Sequence, residues 1–493
     1  MKLFPSFGLS FLIATTFLVL IFASCKKEDV VNHDSSLKLG FSADSVIFDT
    51  VFTTVGSVTK RLMIYNKSDN KLNISNINLT GGTSSPYRIN LDGEPGSSFS
   101  DVEINGNDSL YLFVRVTINP QDNNNPYVVE DELTFFTNGN EQHVKLIAWG
   151  QDAHYIVADT YSSVFPKYKI VADSLETVHW TNDRPYVIYG YAVINSYGTL
   201  IIDEGARIYF HDGGGLWAYS DGLLQVKGTL ENPVTFQGDR LESSYDELPG
   251  QWDRIWLMES TPGTDHLIEN AVIKNGFIGL QTESFIHYAN NRVILHNVII
   301  ENMSRSGILS HIYNIEASNT ILANCGGFCL EVYGGGYFNF KQSTIGNFWP
   351  YSARNNPAVY INNYLLDTLD NPIPYALNFT LANSIVYGSN KDEFETDMVG
   401  GADSLYFISH SLVRSTRKME DGVNFNTILR NEDPLFKDVT VNDYRLDTLS
   451  PAIDYGDPAI AVEVLYDLLN NLRLNHPDAG AYQFMPGQEK KQD

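Results

Sequence analysis

Side chains that could act as acids or bases are most concentrated in the loop-rich passage 238–254. Hydrolysis of a glycosidic bond needs two carboxylates on opposite sides of the bond, separated by roughly 5 to 9.5 Å. A calcium-assisted lyase instead needs clustered carboxylates that hold the ion and an unprotonated arginine or lysine as base. The candidates are the carboxylates of Asp239, Asp246, Glu247 and Asp253 and the basic groups of Arg240, Arg254 and Lys274. Their spacing fixes neither arrangement, and the favoured interpretation of the carboxylates is that they are solvated loop residues.

Aromatic residues make up 12% of the chain and offer a second kind of chemistry. An exposed ring presents an apolar face on which the apolar face of a sugar can stack. The candidates for such contacts are Trp217, Tyr219, Trp252, Trp256, Tyr333, Tyr337 and Trp349. For each of them, burial or stacking within the fold is the favoured alternative. Rings that bind sugar would lie exposed in a row on one face, whereas structural rings would point inward.

The net charge of the chain limits the classes of molecule that can bind to it. Acidic residues outnumber basic residues by 59 to 33, which gives a net charge of −26. This field repels the phosphate backbone, so nucleic acid is excluded as a partner. It also repels acidic polysaccharides unless calcium or a local basic patch intervenes, whereas neutral glycans are not repelled. The sequence has no zinc-ligand spacing, phosphate loop or dinucleotide fingerprint, and no cofactor is expected except calcium in the case of a lyase.

The N-terminus predicts export from the cell. An apolar stretch reaches Ala23, Ser24 and Cys25 before charge begins at Lys26, so residues 1–24 are predicted to be a signal peptide. Small residues directly before a cysteine resemble the lipobox of bacterial lipoproteins, although Phe22 departs from the usual leucine. The resemblance implies acylation of Cys25, for example with palmitate, and a flexible tether over 25–36; an ordinary signal peptide is the alternative.

The four residues after Cys25, at 26–29, are Lys-Lys-Glu-Asp. They resemble the acidic tags that send some lipoproteins to the outer cell surface. The expected location is therefore the bacterial outer membrane, with the chain exposed at the cell surface; a periplasm-facing orientation is the alternative.

Residues 37–152 predict a β-sandwich. Leu110, Leu112, Val114 and Val116 alternate with polar or aromatic residues, which is the period-two pattern of a half-buried strand. Similar runs occur at 45–52, 58–65, 72–79, 133–136 and 144–149, giving six or seven strands. The order of these runs resembles the immunoglobulin-like modules of bacterial surface proteins.

A repeat with a period in the twenties predicts a solenoid in the next segment. Asparagine followed by apolar residues begins at 270, 297 and 319, with related runs at 343 and 383, so the starts differ by 27 (297−270), 22 (319−297), 24 (343−319) and 40 (383−343). Each repeat also supplies a second short strand with a small residue, at 279–280, 307–309, 327–328 and 358–360. We expect the apolar side chains to stack coil upon coil, with Ile273, Ile299 and Ile321 in one column.

The asparagines should occupy the turns of this solenoid. An asparagine tolerates unusual backbone angles, and its amide can bond to backbone groups or to the asparagine one coil away. Two further residues of the segment, Cys325 and Cys329, are too few for a metal cage or a disulfide framework, so buried free thiols are expected.

In the passages 198–210 and 223–236, β-branched and aromatic residues alternate between glycine and proline. These passages resemble the opening coils of right-handed parallel β-helix proteins of the pectate-lyase-like superfamily, and 249–255 resembles the coil that follows them. The resemblance implies a right-handed parallel β-helix over 153–415. It also implies contact with polysaccharide. The sequence lacks the paired-aspartate and Gly-His-Gly patterns of the polygalacturonase-like hydrolases, and it lacks the arginine motifs of pectate lyases. We therefore favour polysaccharide binding or a scaffold role without cleavage. The alternative is a polysaccharide lyase or glycoside hydrolase.

The C-terminal segment 416–484 carries a different set of motifs, at 433–436, 443–446, 450–456 and 478–482. They resemble the terminal module of secreted bacterial β-helix proteins. A solenoid exposes a sheet edge and apolar core at its open end, so a cap is expected there. Residues 485–493 are predicted to form a disordered tail.

Overall fold

The computed structural model describes residues 31–284 and 291–486, and these residues are almost entirely in β-strands and turns, so the all-β prediction is confirmed. The α-helix of the described residues is α1, Pro458–Ala461, and short 3₁₀ turns occur at Gly82–Ser84, Ser243–Tyr245 and Val439–Val441. The chain divides into two compact units after Gln151, one residue before the predicted boundary. The predicted signal peptide and Cys25 lie outside the described residues, as do 26–30 of the tether and 487–493 of the tail. Within the described ranges, no helix has the length and apolar character needed to cross a membrane.

The first unit consists of two five-stranded sheets. One has the strand order β1-β3-β8-β5-β6 and the other β2-β10-β9-β4-β7, with neighbours antiparallel except for the parallel pair β2 and β10. The strands are β1 Gly40–Phe41, β2 Ser45–Phe52, β3 Lys60–Asn66, β4 Leu72–Leu79, β5 Tyr87–Leu91, β6 Glu94–Gly96, β7 Ser98–Ile104, β8 Asp108–Val116, β9 Tyr127–Thr137 and β10 Asn140–Gln151.

Alternation along each strand forms the core of this unit. In β8, Leu112 and Val114 are fully buried, while Tyr111 and Phe113 face outward. Residues from both sheets, including Ile74, Val114 and Leu146, belong to one core cluster. The two sheets are therefore held together by their inward-facing apolar side chains.

The second unit contains the remaining strands. They are β11 His154–Val157, β12 Tyr168–Ala172, β13 Thr177–Trp180, β14 Tyr186–Tyr189, β15 Tyr191–Ile194, β16 Thr199–Asp203, β17 Arg207–Phe210, β18 Gly215–Ala218, β19 Leu223–Lys227, β20 Val234–Gly238, β21 Arg254–Leu257, β22 His266–Lys274, β23 Ile278–Glu283, β24 Val293–Glu301, β25 Ser306–Ser318, β26 Ile321–Ala323, β27 Leu330–Lys341, β28 Thr344–Asn347, β29 Val359–Asn362, β30 Tyr364–Leu366, β31 Pro372–Pro374, β32 Leu377–Ala382, β33 Ile385–Gly388, β34 Phe394–Asp397, β35 Ser404–Val413, β36 Phe425–Arg430, β37 Phe436–Asp438 and β38 Asp443–Leu446.

Most of these strands pair in parallel with the equivalent strand of the next repeat, which arranges them in three stacks. Stack 1 contains β11, β14, β17, β20, the ends of β22 and β24, β26, β28, β33 and the end of β35. Stack 2 contains β12, β15, β18, β21, β23, the starts of β25 and β27, β29 and β34. Stack 3 contains β13, β16, β19, the starts of β22 and β24, the ends of β25 and β27, β32 and the start of β35.

Stack 1 contains the repeat read from the sequence, with one correction. Ile273 pairs with Ile300, which pairs with Leu322, and all three side chains are fully buried. Ile299 and Ile321 pair with each other but lie one position earlier, in the adjacent column that faces outward. The expectation that Ile273 shares their column is wrong, because neighbouring residues of a strand point to opposite faces.

The predicted asparagine turns are confirmed. Asn270, Asn297 and Asn319 all have left-handed backbone angles, with φ of 47°, 54° and 49°. The Asn297 amide donates to Asn270 Oδ1 and the Asn319 amide donates to Asn297 Oδ1, each at 2.8 Å. Asparagine fits this position because its short polar side chain tolerates the left-handed region and satisfies its own hydrogen bonds there.

Two other predictions within the repeats have different outcomes. Cys325 and Cys329 are free and fully buried, as expected. The prediction that Gly327 is the small residue of the second strand in that coil is wrong. Leu330 pairs with Ile308, so Cys329 occupies the position equivalent to Gly307, two residues later than predicted. The loop between the coils is longer than the sequence alignment assumed.

The C-terminal segment lies along the side of stack 1, which corrects the predicted cap at 416–484. Parallel strands continue through β36, and the residues after it, 432–486, are called the C-terminal strap below. The Tyr444 hydroxyl donates to Gly346 O at 3.3 Å, Arg473 Nη1 donates to Asn319 Oδ1 at 2.6 Å and Asp457 N donates to Asn383 Oδ1 at 2.8 Å. These contacts span several coils on their outer face.

The physical reason for this placement is the apolar outer surface of stack 1. Ile321 and Ala323 face outward and pack with Tyr444 and Ala481 of the C-terminal strap, and Ile385 packs in the same way nearby. A strand that is apolar at successive positions needs cover on both faces. The C-terminal strap supplies that cover for the later coils.

Candidate functional site

Asp253 and Arg254 are the predicted acid and base candidates that reach the outer face of stack 2. Arg254 forms an ion pair with Asp253 at 2.9 Å and donates to the side chain of Gln281. Asp253 also accepts a hydrogen bond from the Tyr191 hydroxyl. Tyr191 lies on β15, two strands before β21 in this stack, and Gln281 lies on the following strand, β23, so the pair is joined to neighbours on both sides.

The other predicted carboxylates lie elsewhere and do not form a pair across a substrate. Asp239 accepts from His211 Nδ1 at 2.8 Å, and its burial raises the pKa of the carboxyl above its usual range. Glu247 accepts from Asn302 and lies 3.9 Å from Lys274, whose Nζ donates to the backbone carbonyl of Asp246. These contacts hold the 238–254 loop against the body of the unit.

Arg240, the remaining candidate base, is bound locally. Its Nε donates to Glu242 at 3.1 Å, and its guanidinium lies 4.3 Å from the centre of the Tyr245 ring. These partners favour the charged guanidinium, so Arg240 is not prepared to act as a base.

Three of the predicted aromatic candidates lie outside stack 2. Trp252 is in the core with 1% of its surface exposed, and its indole N–H donates to Lys274 O at 2.9 Å, so the proposal that it contacts sugar is wrong. Its ring stacks on Phe210 at 4.5 Å, which is the structural alternative weighed for each aromatic residue. Tyr337 is exposed on stack 3, and Trp349 contacts Tyr351 in the connection between β28 and β29.

The remaining aromatic candidates lie on the outer face of stack 2. Trp217 and Trp256 occupy paired positions and stack with ring centres 4.8 Å apart and planes at 10°. Tyr219 contacts Trp217 edge to face at 5.3 Å, and Phe165 contacts it at 5.5 Å. These neighbours leave Trp217 only 3% exposed, whereas Tyr219 is 38% exposed, so Tyr219 and the half-buried Trp256 are the accessible members.

From Trp256 a row of polar side chains continues across the next strands. Glu283 accepts hydrogen bonds from the Trp256 indole and from the Gln281 amide, each at 3.0 Å. His311 occupies the position paired with Glu283, and Tyr333 the position paired with His311. Burial lowers the pKa of His311, although Glu283 and Glu331 act in the opposite direction, so the imidazole is neutral at pH 7.

Glu331 is the most buried carboxylate of this row, with 1% of its surface exposed. It accepts from the hydroxyl of Ser306 and, at 3.1 Å, from the hydroxyl of Tyr333, and Arg305 lies 3.7 Å away. Burial, and then the nearby Glu331 carboxylate, raise the pKa of Tyr333 well above its usual value. Tyr333 therefore keeps its proton and donates it in a hydrogen bond.

Tyr360 and Asp397 complete the row. The hydroxyls of Tyr360 and Tyr364 both donate to Asp397 Oδ2, at 3.0 and 2.6 Å. The Tyr360 ring lies 5.5 Å from the Tyr333 ring, so the aromatic contacts run from strand to strand. The name stack 2 strip is used below for Trp256, Gln281, Glu283, His311, Glu331, Tyr333, Tyr360 and Asp397.

The stack 2 strip combines ring faces with hydrogen-bonding groups at the spacing of the strands, about 4.8 Å. Glu283 and Glu331 lie two strands apart and are offset by two residues, which places their backbones about 12 Å apart. Each carboxylate is already held by side-chain donors. The arrangement is suited to contacting an extended chain at several points along its length.

Sequence reasoning did not identify most of this strip. Glu283, His311, Glu331, Tyr360 and Asp397 are not among the candidates that the sequence indicated. The available signal was that polar or aromatic residues occupy alternate positions in the second strand of successive repeats. Gln281 and Glu283 follow this pattern in one repeat, and Glu331 and Tyr333 follow it in another. Within the described residues, no group of three His, Cys, Asp or Glu side chains is arranged to hold a metal ion.

Comparison with known proteins identifies no family for this chain. No protein-family profile matches the chain, and no curated protein matches it. Among solved structures, a family 123 glycoside hydrolase from Clostridium perfringens is similar over 24% of this chain and 30% of that protein, with 7% sequence identity and a TM-score of 0.18. The matched part is thus less than a third of that hydrolase, and the likeness carries no argument about fold or activity.

Proposed function

We propose that this protein is a lipid-anchored cell-envelope protein that binds polysaccharide along the stack 2 strip without cleaving it. The single observation that carries this proposal is the continuous row from Trp256 to Asp397, in which rings and polar groups recur on consecutive strands. A polymer with a repeating unit can contact such a row at successive positions.

The proposed architecture is a right-handed parallel β-helix preceded by an immunoglobulin-like sandwich. Parallel pairing of each strand with its equivalent in the next repeat supports the first part. Two sheets of five strands with a shared core support the second. Stacked coils would present the strip as one flat, extended surface.

A neutral glycan is the proposed ligand class for this strip. Glu283, Glu331 and Asp397 lie in the row, and Arg305 and Arg254 are the cations beside them. The balance of charge in the strip and the net charge of −26 both disfavour an acidic chain. Sugar hydroxyls can exchange with the existing hydrogen bonds of Glu283 and Asp397, which are half-buried.

Screening of a glycan array, followed by titration of the best oligosaccharide, tests the proposal. Trp256→Ala and Tyr360→Ala should each weaken binding at least tenfold, because each removes a ring from the strip. Trp349→Ala, which removes a ring outside the strip, should leave the affinity unchanged and serves as the matched control. Equal losses in all three variants, or no neutral glycan bound, would contradict the proposal.

Cleavage of polysaccharide is the second candidate function, and the surroundings of Glu331 favour it. A buried carboxylate with Arg305, Tyr333 and a neutral His311 close by is the type of environment in which enzymes place acid and base groups. Incubation of the bound glycan with the protein, followed by chromatography of the products, separates the two functions. Released oligosaccharides that disappear in Glu331→Gln would establish cleavage.

The proposed location is the bacterial outer membrane, with the chain attached through acylated Cys25 and exposed at the cell surface. The apolar segment and the Ala-Ser-Cys sequence that ends at residue 25 support this proposal. Labelled fatty acid should be incorporated into the wild-type protein and not into Cys25→Ala. Incorporation that persists in the variant would contradict the assignment of the anchor.

A further inference from the structure

The outer face of the sheet β1-β3-β8-β5-β6 in the first unit carries a cationic surface that the proposed function does not use. Arg61, Arg88 and Arg115 are all exposed there. Within residues 31–284 and 291–486, no carboxylate lies within salt-bridge distance of any of the three guanidinium groups. In a chain with 59 acidic and 33 basic residues, an arginine cluster free of acidic partners is unexpected.

Two of these arginines face each other directly. Arg88 on β5 pairs with Arg115 on β8 in the antiparallel ladder. Side chains directly opposite each other have Cβ atoms roughly 5 Å apart, and like charges in this arrangement destabilise the sheet. Arg88 Nη1 donates to the backbone carbonyls of Ser85 and Tyr87, which fixes the position of this guanidinium. An anion between the two arginines would relieve the repulsion and accept charge-assisted hydrogen bonds from both.

Exposed rings lie beside the arginine pair. Phe113 is two residues before Arg115 on the same face and is flanked across the strands by Arg61 and Asn90. Phe113 and Tyr111 are 36% and 39% exposed, and their rings are stacked 6.3 Å apart. The guanidinium of Arg61 lies 5.4 Å from the centre of the Tyr111 ring. The surface therefore offers apolar ring area next to concentrated positive charge.

The same residues line a cleft of about 890 Å³. Its walls include Arg88, Arg115, Phe113 and Asn90, together with Thr83 and Ser97 from the connections that flank β5 and β6. Its volume is within the range of pockets that hold small organic ligands, roughly 300 to 1,000 Å³. The hydroxyl and amide groups can bond to a polyhydroxylated ligand, and the ring of Phe113 can contact an apolar ring face.

We propose that this cleft binds a saccharide that carries an anionic group, with the anion held between Arg88 and Arg115 and the sugar ring against Phe113. This site is independent of the stack 2 strip, because it lies in the other unit and has the opposite charge. Carboxylate, sulfate and phosphate share the chemistry that the arginine pair recognises.

Calorimetric titration of the full chain tests the site with five probes: trigalacturonate, a sulfated heparin disaccharide, glucose 6-phosphate, neutral maltotriose and inorganic phosphate. At least one of the three anionic saccharides should bind, more weakly as salt increases. Maltotriose, titrated into Trp256→Ala so that the stack 2 strip contributes little, should bind at least tenfold more weakly. The anionic saccharide that binds best identifies the anion. Inorganic phosphate binding as tightly as that saccharide would overturn the role of the sugar ring, and no binding of any anionic saccharide would overturn the site.

Variants assign the site to these residues. Arg115→Gln and Arg88→Gln should each lower the affinity for the anionic saccharide at least tenfold, and Phe113→Ala should lower it several-fold. Lys145→Gln removes the same charge from the exposed face of the other sheet and should have no effect. Trp256→Ala should also have no effect, which distinguishes this site from the proposed polysaccharide strip. Binding that survives in the Arg88→Gln/Arg115→Gln double variant would overturn the proposal.

Discussion

Glu301 is the carboxyl whose titration should control how firmly the C-terminal strap is attached. It ends β24 on the outer side of stack 1, paired with Lys274 and Ala323. Burial, and then repulsion from Glu247, raise the pKa of Glu301 from 4.5 to about 7. Burial is the main cause that raises the pKa of the Tyr444 hydroxyl in the C-terminal strap, and the nearby Glu301 charge acts in the same direction.

The sign of the effect follows from the direction of this shift. Because the pKa is higher in the folded protein, the protonated Glu301 carboxyl stabilises the attached C-terminal strap below pH 4.5, and this stabilisation is lost as the pH rises through about 7. One pKa unit corresponds to about 1.4 kcal/mol, so the whole shift of Glu301 corresponds to about 2.5 kcal/mol of unfolding free energy between pH 5 and pH 8. Glu247 lies outside the C-terminal strap and Asn442 of the strap favours the charged carboxylate, so only part of this amount belongs to attachment of the strap, and the population of the detached form should change by less than about 70-fold.

Hydrogen exchange of the peptide that contains β38 measures this population, after correction for the intrinsic pH dependence of exchange. Wild-type protection should fall between pH 5 and pH 8, and most of that fall should be absent in Glu301→Gln. A smaller fall of the same sign should remain, because burial raises the pKa of Asp478 in the C-terminal strap to about 6. Glu420→Gln, which alters a carboxyl that is 83% exposed, is the matched control. Parallel loss of protection in wild type and Glu301→Gln would refute this reasoning.

Three further predictions concern stability and are measured by thermal unfolding. Arg354 and Glu393 form an ion pair with side-chain exposures of 1% and 0%, so Arg354→Met should destabilise the protein by about 3 to 5 kcal/mol. The double variant Arg354→Met/Glu393→Leu should recover part of this loss, because it leaves no unpaired charge. A double variant no more stable than the single one would contradict this explanation. Asn297→Ala should lower the free energy of unfolding by about 2 to 3 kcal/mol, because alanine is strained in the left-handed backbone conformation and the amide hydrogen bonds are lost. Asn297→Gly should lower it less, because glycine adopts this conformation without strain. Equal losses in the two variants would show that the backbone angle is unimportant. Gly336→Ala should cost about 3 kcal/mol or more, because φ is 125° and the added Cβ would overlap the carbonyl oxygen of Tyr313; an unchanged melting temperature would show that the backbone there can move.

Strand periodicity and the repeat could be predicted from the sequence because they depend on local residue order. The runs 45–52 and 72–79 coincide with β2 and β4, and the alignment of Asn270, Asn297 and Asn319 matches the ladder. The strands β5 to β7 were missed for different reasons: β5 carries the alternation Tyr87, Ile89 and Leu91 but is only five residues long, β6 has three residues, and β7 is largely polar, so that its burial depends on its neighbours. Local pattern does not report which long-range partner covers a strand.

The sequence carries a signal for the placement of the C-terminal strap. Ile299 and Ile300, and Ile321 and Leu322, are apolar at successive positions, which indicates burial on both faces. The candidate site was harder to predict, because a single Glu331 in an apolar strand has the same pattern as a solvated residue. Tyr333 lies two residues later on the same strand, whereas Ser306 and Arg305 come from the preceding coil and reach Glu331 only through the register.

The C-terminal strap has a consequence for how the second unit comes apart. In a one-dimensional array each coil touches only its neighbours, so unravelling can begin at any free end and advance one coil at a time. Tyr444, Asp457 and Arg473 tie the coils of Gly346, Asn383 and Asn319 to a single outer segment. Those coils should therefore unravel as one block, whereas the coils before β22, where none of these three residues makes a contact of this kind, should open stepwise and with less work.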